Sequence, residues 1–512
     1  GERSRVSTNP ASWIAGWARR SPTQAAIEYQ TARYSYAGVD RQAGQLAGAM
    51  AASHGVTAGD RVAYLGLNSP EYVVLILACA RLGAIMVPLN WRLAPAEIGH
   101  MLADSAPAML FHEAEFAELA ASFAGPRIVC GGDERRLGYA GLDVSSTIAP
   151  ALHDDPSASL LLIYTSGTTG RPKGALLSHG NLLWNAINST HAHDLHSGDR
   201  VLTNLPMFHA GGLTLQSLPA LHAGATLVIR RRFTPDDTFA AMEESRPTLY
   251  LSVPSALQQM VDHARFAAAD LSSLRMIMTG SAPVPEVLIR TFLARGIALG
   301  QIYGCTESTG VTVYTRRDEV VEAVGFAGRP AIHVDVQVVD LDGQPVSAGE
   351  PGEIAVRGPT VFNGYWGQPE ASAECRRGDW LLTGDIGRFD ARGFLRIEDR
   401  RKDMIISGGY NVYPAEIEAV LAECPLLAEA AVVGRPDPKW GEVPVVFAVA
   451  REGGHDASAV AAFLAGRLAK YKQPAAIRFV QALPRNATGK VLKYRLRDAA
   501  RDSGDADPVE GL

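Results

Sequence analysis

The sequence predicts an α/β protein of two domains: a large N-terminal domain with mainly parallel sheets and a β-rich subdomain, then a small mobile α+β domain. Three observations predict it. The 512 residues exceed what one ordinary hydrophobic core serves. Short apolar runs alternate with helical stretches through the first half, the signature of strands laid parallel by helical crossovers. The character then changes twice, near residue 325 and again near residue 400.

Arg61–Leu65 reads as a short buried strand, Pro70–Leu82 as the helix that follows, and residues 84–88 as the next strand. The pattern continues through strands at 225–229, 248–252 and 275–278. Residues 334–339 and 352–356 alternate apolar and polar side chains, with Asp342-Gly343 as a tight turn between them. This is the β-rich subdomain. A strand at 394–397 runs into the charged cluster Asp399-Arg400-Arg401-Lys402-Asp403, where the domain boundary is expected. Residues 1–400 form one domain and residues 401–512 the other, with a helix at 414–421, a strand at 428–433 and a helix at 457–470.

Composition narrows the function. Hydrophobic residues make up 47% and charged residues 20%, an ordinary globular balance. The net charge of -6 argues against a dedicated nucleic-acid binder. Five cysteines without a CxxC pair argue against a disulfide framework or a zinc site, and fit a reducing cytoplasm. No apolar run follows Gly1-Glu2-Arg3-Ser4, so no secretory signal is expected. The most apolar stretch, 72–80, is interrupted at Arg81 and is too short to span a bilayer; it reads as a buried helix. Peripheral membrane contact stays open, although Arg230-Arg231-Arg232 reads as a solvated strand edge.

The most informative segment runs from Leu160 to Gly174. An apolar strand opens into Thr165-Ser166-Gly167-Thr168-Thr169-Gly170, then Arg171-Pro172-Lys173-Gly174. Glycines let successive N–H groups converge on one anion, hydroxyls add donors, and Lys173 adds positive charge. This suits the phosphates of a nucleotide, and it is not a Walker A loop, because the GK[ST] ending is missing. Three further motifs follow in order: Tyr303-Gly304-Cys305-Thr306-Glu307, then Trp380-Leu381-Leu382-Thr383-Gly384-Asp385 with Asp399-Arg400, then Pro484-Arg485-Asn486-Ala487-Thr488-Gly489-Lys490.

On these motifs nearly the whole chain resembles the adenylate-forming superfamily of acyl-CoA synthetases, peptide-synthetase adenylation domains and luciferases. The resemblance implies ATP, Mg²⁺ and coenzyme A as co-substrates and cofactor. It implies that the 165–173 loop holds the β- and γ-phosphates, that Tyr303 packs on adenine, that Thr306 meets the α-phosphate, and that Glu307 helps hold Mg²⁺. Asp385 would accept from the ribose hydroxyls and Arg400 would donate to ribose and phosphate. Lys490 would meet the carboxylate and α-phosphate where charge builds up during adenylation. Lys402 matches the hinge about which the small domain turns, a position that is Asp or Lys in the family. Gly408 and Gly409 would line the thiol tunnel, and Lys472 is a candidate for CoA phosphates, with simple solvation as its other reading.

The family's acid pocket falls on Gly211, Gly212, Val253, Gly280, Ser281 and Ala282, with His209 as a gate counted among the catalytic residues. These residues are small or apolar, so an apolar acid is expected. A medium- or long-chain fatty acid is the leading substrate. The alternatives are an aryl acid such as benzoate or cinnamate, and a stand-alone enzyme loading a carrier protein. A luciferase-like monooxygenase shares the motifs. A non-catalytic scaffold is disfavoured, because it has no need of Lys490.

Overall fold

In the computed structural model, the residues described are 7–131, 137–144, 149–165, 172–282, 284–400, 403–407, 410–438, 440–451, 455–465, 467–468, 470–485 and 489–502. The chain divides into two compact units, Gly1–Val336 with Val356–Leu382, and Gln337–Ala355 with Thr383–Leu512.

Among the described residues, two large sheets build the first unit. One has nine strands. Its central run, in spatial order, is Ala298–Tyr303, Met276–Gly280, Leu249–Ser252, Arg200–Thr203, Thr226–Ile229 and Ala25–Tyr29, parallel throughout. The other has eight strands. Its parallel centre is Ser159–Thr165, Ile85–Pro88, Arg61–Leu65, Met109–Glu113 and Arg127–Cys130. Strands buried on both faces need continuous apolar sequence, and all of Ile85–Pro88 and Met109–Glu113 is buried. The helix Pro70–Leu82 is buried from Pro70 to Arg81. Ser69 caps its start by accepting from the Tyr72 N–H at 3.3 Å, and Gly83 ends it in the left-handed conformation. Among the described residues no helix is long and apolar enough to cross a membrane.

The second unit carries a sheet in the order Tyr410–Val412, Ile405–Ser407, Gly441–Ala450, Leu427–Asp437, with Ala476–Phe479 added parallel to Gly441–Ala450. Successive residues of a strand face opposite ways. Val432 and Val446 accordingly join one apolar cluster, with Ile417, Leu421 and Leu464. Val433 and Val445 join another, with Leu483, Leu496 and Ala500.

Several expected elements differ in length; the strand expected at 394–397 runs over Leu395–Arg400, so Asp399 and Arg400 lie within it. The helix expected to reach 470 ends at Ala465, and Lys470–Lys472 forms a separate 3-10 turn. The strand expected at 428–433 extends over Leu427–Asp437. Pro436 is tolerated there because the strand lies at the edge of its sheet.

Candidate functional site

The glycine-rich segment leaves the strand Ser159–Thr165 and returns as Lys173–Ser178, paired antiparallel with Thr165 opposite Lys173. Ser166, Gly167, Thr168, Thr169 and Gly170 lie outside the described residues. A third strand, Gly364–Tyr365, adds to the edge with Tyr365 opposite Ala175, and the Trp366 N–H donates to the Gly174 carbonyl at 2.8 Å. Tyr365 thereby sits beside Lys173, whose Nζ is 5.3 Å from the centre of its ring. The Tyr365 hydroxyl donates to Glu307 Oε1 at 2.7 Å. Burial and the neighbouring Glu307 carboxylate push the Tyr365 hydroxyl up, so it stays a proton donor. Lys173 and Glu307, read from separate motifs, meet through a tyrosine that sequence reasoning missed. The aromatic run Phe362-Asn363-Gly364-Tyr365-Trp366 was its only signal.

Glu307 belongs to a tight turn. Strand Ala298–Tyr303 ends at the carboxyl edge of the parallel sheet, and a Cβ on Gly304 would lie 1.7 Å from the Gly310 carbonyl oxygen. Only glycine lets these two stretches of backbone pass. The 3-10 turn Thr306–Ser308 follows, with Thr306 buried and Ser308 Oγ accepting from the Cys305 N–H at 3.0 Å. The Phe362 N–H donates to the Glu307 carbonyl at 2.8 Å, which fixes the turn to the segment carrying Tyr365.

The expected acid-pocket residues share that sheet edge in part. Val253 follows Leu249–Ser252, Gly280 ends Met276–Gly280 and Tyr303 ends Ala298–Tyr303, three neighbouring parallel strands. Ligands of open α/β sheets sit at such carboxyl ends. Ser281, in the left-handed conformation at φ 68°, and Ala282 are exposed just beyond. Asn185 ties in the other segment: its Oδ1 accepts from the Val311 N–H at 2.9 Å and its Nδ2 donates to the Thr214 carbonyl at 2.6 Å. The chain after His209 is thus fastened to the chain after Glu307.

On the side where a Cβ would stand, Gly212 and Gly280 meet backbone. A Cβ on Gly212 would lie 2.3 Å from the Pro206 carbonyl oxygen, and one on Gly280 would lie 2.2 Å from that of Ile302. Both glycines serve close backbone packing. Gly211 is less tight, the nearest atom to its Cβ position being His209 Nδ1 at 3.3 Å. His209 itself caps the helix Ala210–Leu213, its Nδ1 accepting from the Gly211 N–H at 3.1 Å. Any swing of the ring would cost that cap. Arg230 and Arg231 are not merely a solvated edge: Arg230 pairs with Glu244 at 2.7 Å, and Arg231 pairs with Glu113 and Glu115, each at 2.6 Å.

In the second unit Asp385 is buried, and its Oδ1 lies 2.7 Å from Arg400 Nε, the two residues being directly opposite on paired strands. Lys490 is exposed. Lys472 forms an ion pair with Glu416. Lys402, Gly408 and Gly409 lie outside the described residues.

A family model described as AMP-binding enzyme matches residues 14–366, and one described as AMP-binding enzyme C-terminal domain matches residues 416–490. The chain belongs to the AMP-binding enzyme family. Its similarity to individual members extends over nearly its whole length. It is 47% identical to an indoleacetate–CoA ligase of Aromatoleum aromaticum, over 95% of this chain and 97% of that one. It is 43% identical to a feruloyl-CoA synthase of Amycolatopsis, over 95% and 98%. It is 36% identical to a long-chain-fatty-acid–CoA ligase of Mycobacterium tuberculosis, over 93% and 95%. Among solved structures, ATP-bound MatB from Rhodopseudomonas palustris matches with a TM-score of 0.89 at 32% identity, over 97% of this chain and 99% of that one.

Proposed function

We propose that this member of the family is an aryl-acid CoA ligase. The enzyme class is AMP-forming acid–thiol ligase, with ATP, Mg²⁺ and CoA as its co-substrates and cofactor. A carboxylate oxygen attacks the α-phosphorus of ATP, pyrophosphate leaves, and the acyl-AMP then gives its acyl group to the CoA thiol with release of AMP. The observation that carries the aryl reading is the order of similarity. The indoleacetate and feruloyl relatives, at 47% and 43%, stand above the fatty-acid relative at 36%, all at near-complete coverage.

In this reading Lys173 and the loop before it hold the outer phosphates, Thr306 meets the α-phosphate and Tyr303 packs on adenine. Asp385 and Arg400 hold the ribose, and Lys490 stabilises the charge that develops during adenylation. The residues fit Mg²⁺. Glu307 is a half-buried carboxylate, and among the described residues no group of three or more metal-ligating side chains stands ready for a metal. Mg²⁺ takes hard oxygen ligands and shares them between one or two carboxylates and substrate phosphates, whose charge it neutralises. Glu307 would hold it. Lys402 is the pivot between the two half-reactions, residues 1–400 and 401–512 are the parts that move against each other, and Gly408, Gly409 and Lys472 serve CoA. A cytoplasmic place of action belongs to the same proposal, because ATP and CoA are drawn from there.

The test is kcat/KM for a panel holding indoleacetate, ferulate, cinnamate and benzoate beside straight-chain acids from acetate upward, with CoA or a carrier protein as acceptor. The aryl reading expects an aromatic acid to lead with CoA. A specificity constant that climbs steadily with alkyl chain length would return the assignment to fatty acids.

A further inference from the structure

The segment that carries Lys490 is braced on both sides by charged side chains. Arg485 and Val491 form an isolated antiparallel bridge, and the Leu492 N–H donates to the Pro484 carbonyl at 2.7 Å. These bonds hold Pro484-Arg485 against Val491-Leu492, directly beside Lys490. On the near side, Arg485 Nη1 donates to the Gly489 carbonyl at 2.7 Å and the same guanidinium pairs with Glu429. On the far side stands Lys493, the first residue of the helix Lys493–Asp502.

Lys493 is mostly buried, and its Nζ lies 2.8 Å from Glu418 Oε1. That carboxylate oxygen also accepts from the Val432 N–H at 2.7 Å. Burial alone would pull the Lys493 pKa down; Glu418, Asp399 and Asp403 outweigh it and hold the ammonium charged. Asp399 is anchored in turn, accepting from the Arg400 N–H at 2.7 Å and the Ala415 N–H at 2.8 Å. One turn along the helix, Arg497 pairs with Asp403 at 2.8 Å. The carboxylates on either side of the expected pivot, Asp399 and Asp403, thus face the cations of the helix that follows Lys490.

A buried ion pair is a poor source of net stability, because desolvation cancels most of the attraction. The helix already docks through Leu496 and Ala500 in an apolar cluster. What the pair supplies is a fixed position for the chain just beyond Lys490. We propose that Lys493 is a positioning residue for Lys490, holding its segment to Glu418 and to the strand that leads into the pivot. This rests on the reading of Lys490 as the adenylation lysine.

The test uses the full-length chain and measures the half-reactions separately: pyrophosphate release from ATP and acid, and thioester formation from the synthetic adenylate of the best acid in the panel. Lys493→Met should lower kcat for pyrophosphate release on the order of ten- to hundredfold, the scale of a side chain misplaced by about an ångström. Thioester formation should stay within about twofold, and Lys493→Arg should recover most of the loss. The double variant Lys493→Met/Glu418→Gln removes the cation together with its charged partner, and so guards against mere unfolding. It should melt like the parent and still adenylate slowly. Recovery of full adenylation in the double variant, or an equal loss in both half-reactions, would overturn the proposal. Lys490→Ala separates the two levels: continued pyrophosphate release there refutes the reading of Lys490 itself, whereas its loss beside an unimpaired Lys493→Met refutes only the positioning role.

Discussion

At Gly304 the smallest change carries the largest consequence. A methyl group there would sit 1.7 Å from a backbone oxygen, so Gly304→Ala must push apart the strand end at Tyr303 and the chain at Gly310. The expected outcome is a rise of at least about tenfold in KM for ATP with a lowered melting temperature, a Cβ forced against backbone being strain of a kind that packing cannot absorb. Tyr365→Phe is the milder probe. It removes one hydrogen bond to a carboxylate, about 1.5–3 kcal/mol, and leaves the ring beneath Lys173 in place. We expect kcat/KM for ATP to fall and the Mg²⁺ concentration needed for half-maximal adenylation to rise. An unchanged Mg²⁺ dependence would separate Tyr365 from the ion's site. Glu307 and Lys173 were legible in the sequence because each lies in a compact motif. Tyr365 was not, because its role depends on pairing opposite Ala175, a partner that no local pattern announces. At Gly212 and Gly280 the sequence is silent for a related reason: a glycine does not say whether a ligand or the backbone fills the space beside it.

The helix His179–His193 carries a buried histidine at each end. Burial is the first cause that pulls both His179 and His193 down to about 4, with His153 adding to it at His179. The folded chain therefore keeps both rings neutral down to about pH 4, while the unfolded chain protonates them below about 6.5. Stability is lost as pH falls through that window, at roughly 1.4 kcal/mol per pH unit for each histidine. His193→Gln cannot titrate, so its melting temperature should decline less steeply than the parent's between pH 6.5 and 4.5. Parallel slopes would show that another group governs acid sensitivity. The helices and buried strands of the first unit were readable because their apolar runs and caps are local, as at Ser69 and Gly83. The strand reaching Asp437 was not. Arg435-Pro436-Asp437 has the composition of a turn, and only pairing with Gly441–Val443 keeps it extended.

Across the whole molecule, the compact units do not divide at residue 400. Gln337–Ala355 and residues 383–400 group with the C-terminal residues, so the chain passes between units within three strands: Asp335–Val339, Gly352–Arg357 and Trp380–Phe389. Compactness and motion need not share a boundary. Bending at those passages would deform three strands at once, each held in a hydrogen-bonded ladder. Turning at Lys402 would use the dihedral angles of a few residues, as hinges ordinarily do, but would also have to release Asp399 from the Ala415 N–H and from Lys493, which it faces. Lys402→Pro would fix one of those dihedral angles. Pyrophosphate release should survive in this variant if the adenylating arrangement is the resting one, while thioester formation should fall steeply. Thioester formation at the parental rate would instead move the pivot to the three strands, where the compact units actually part.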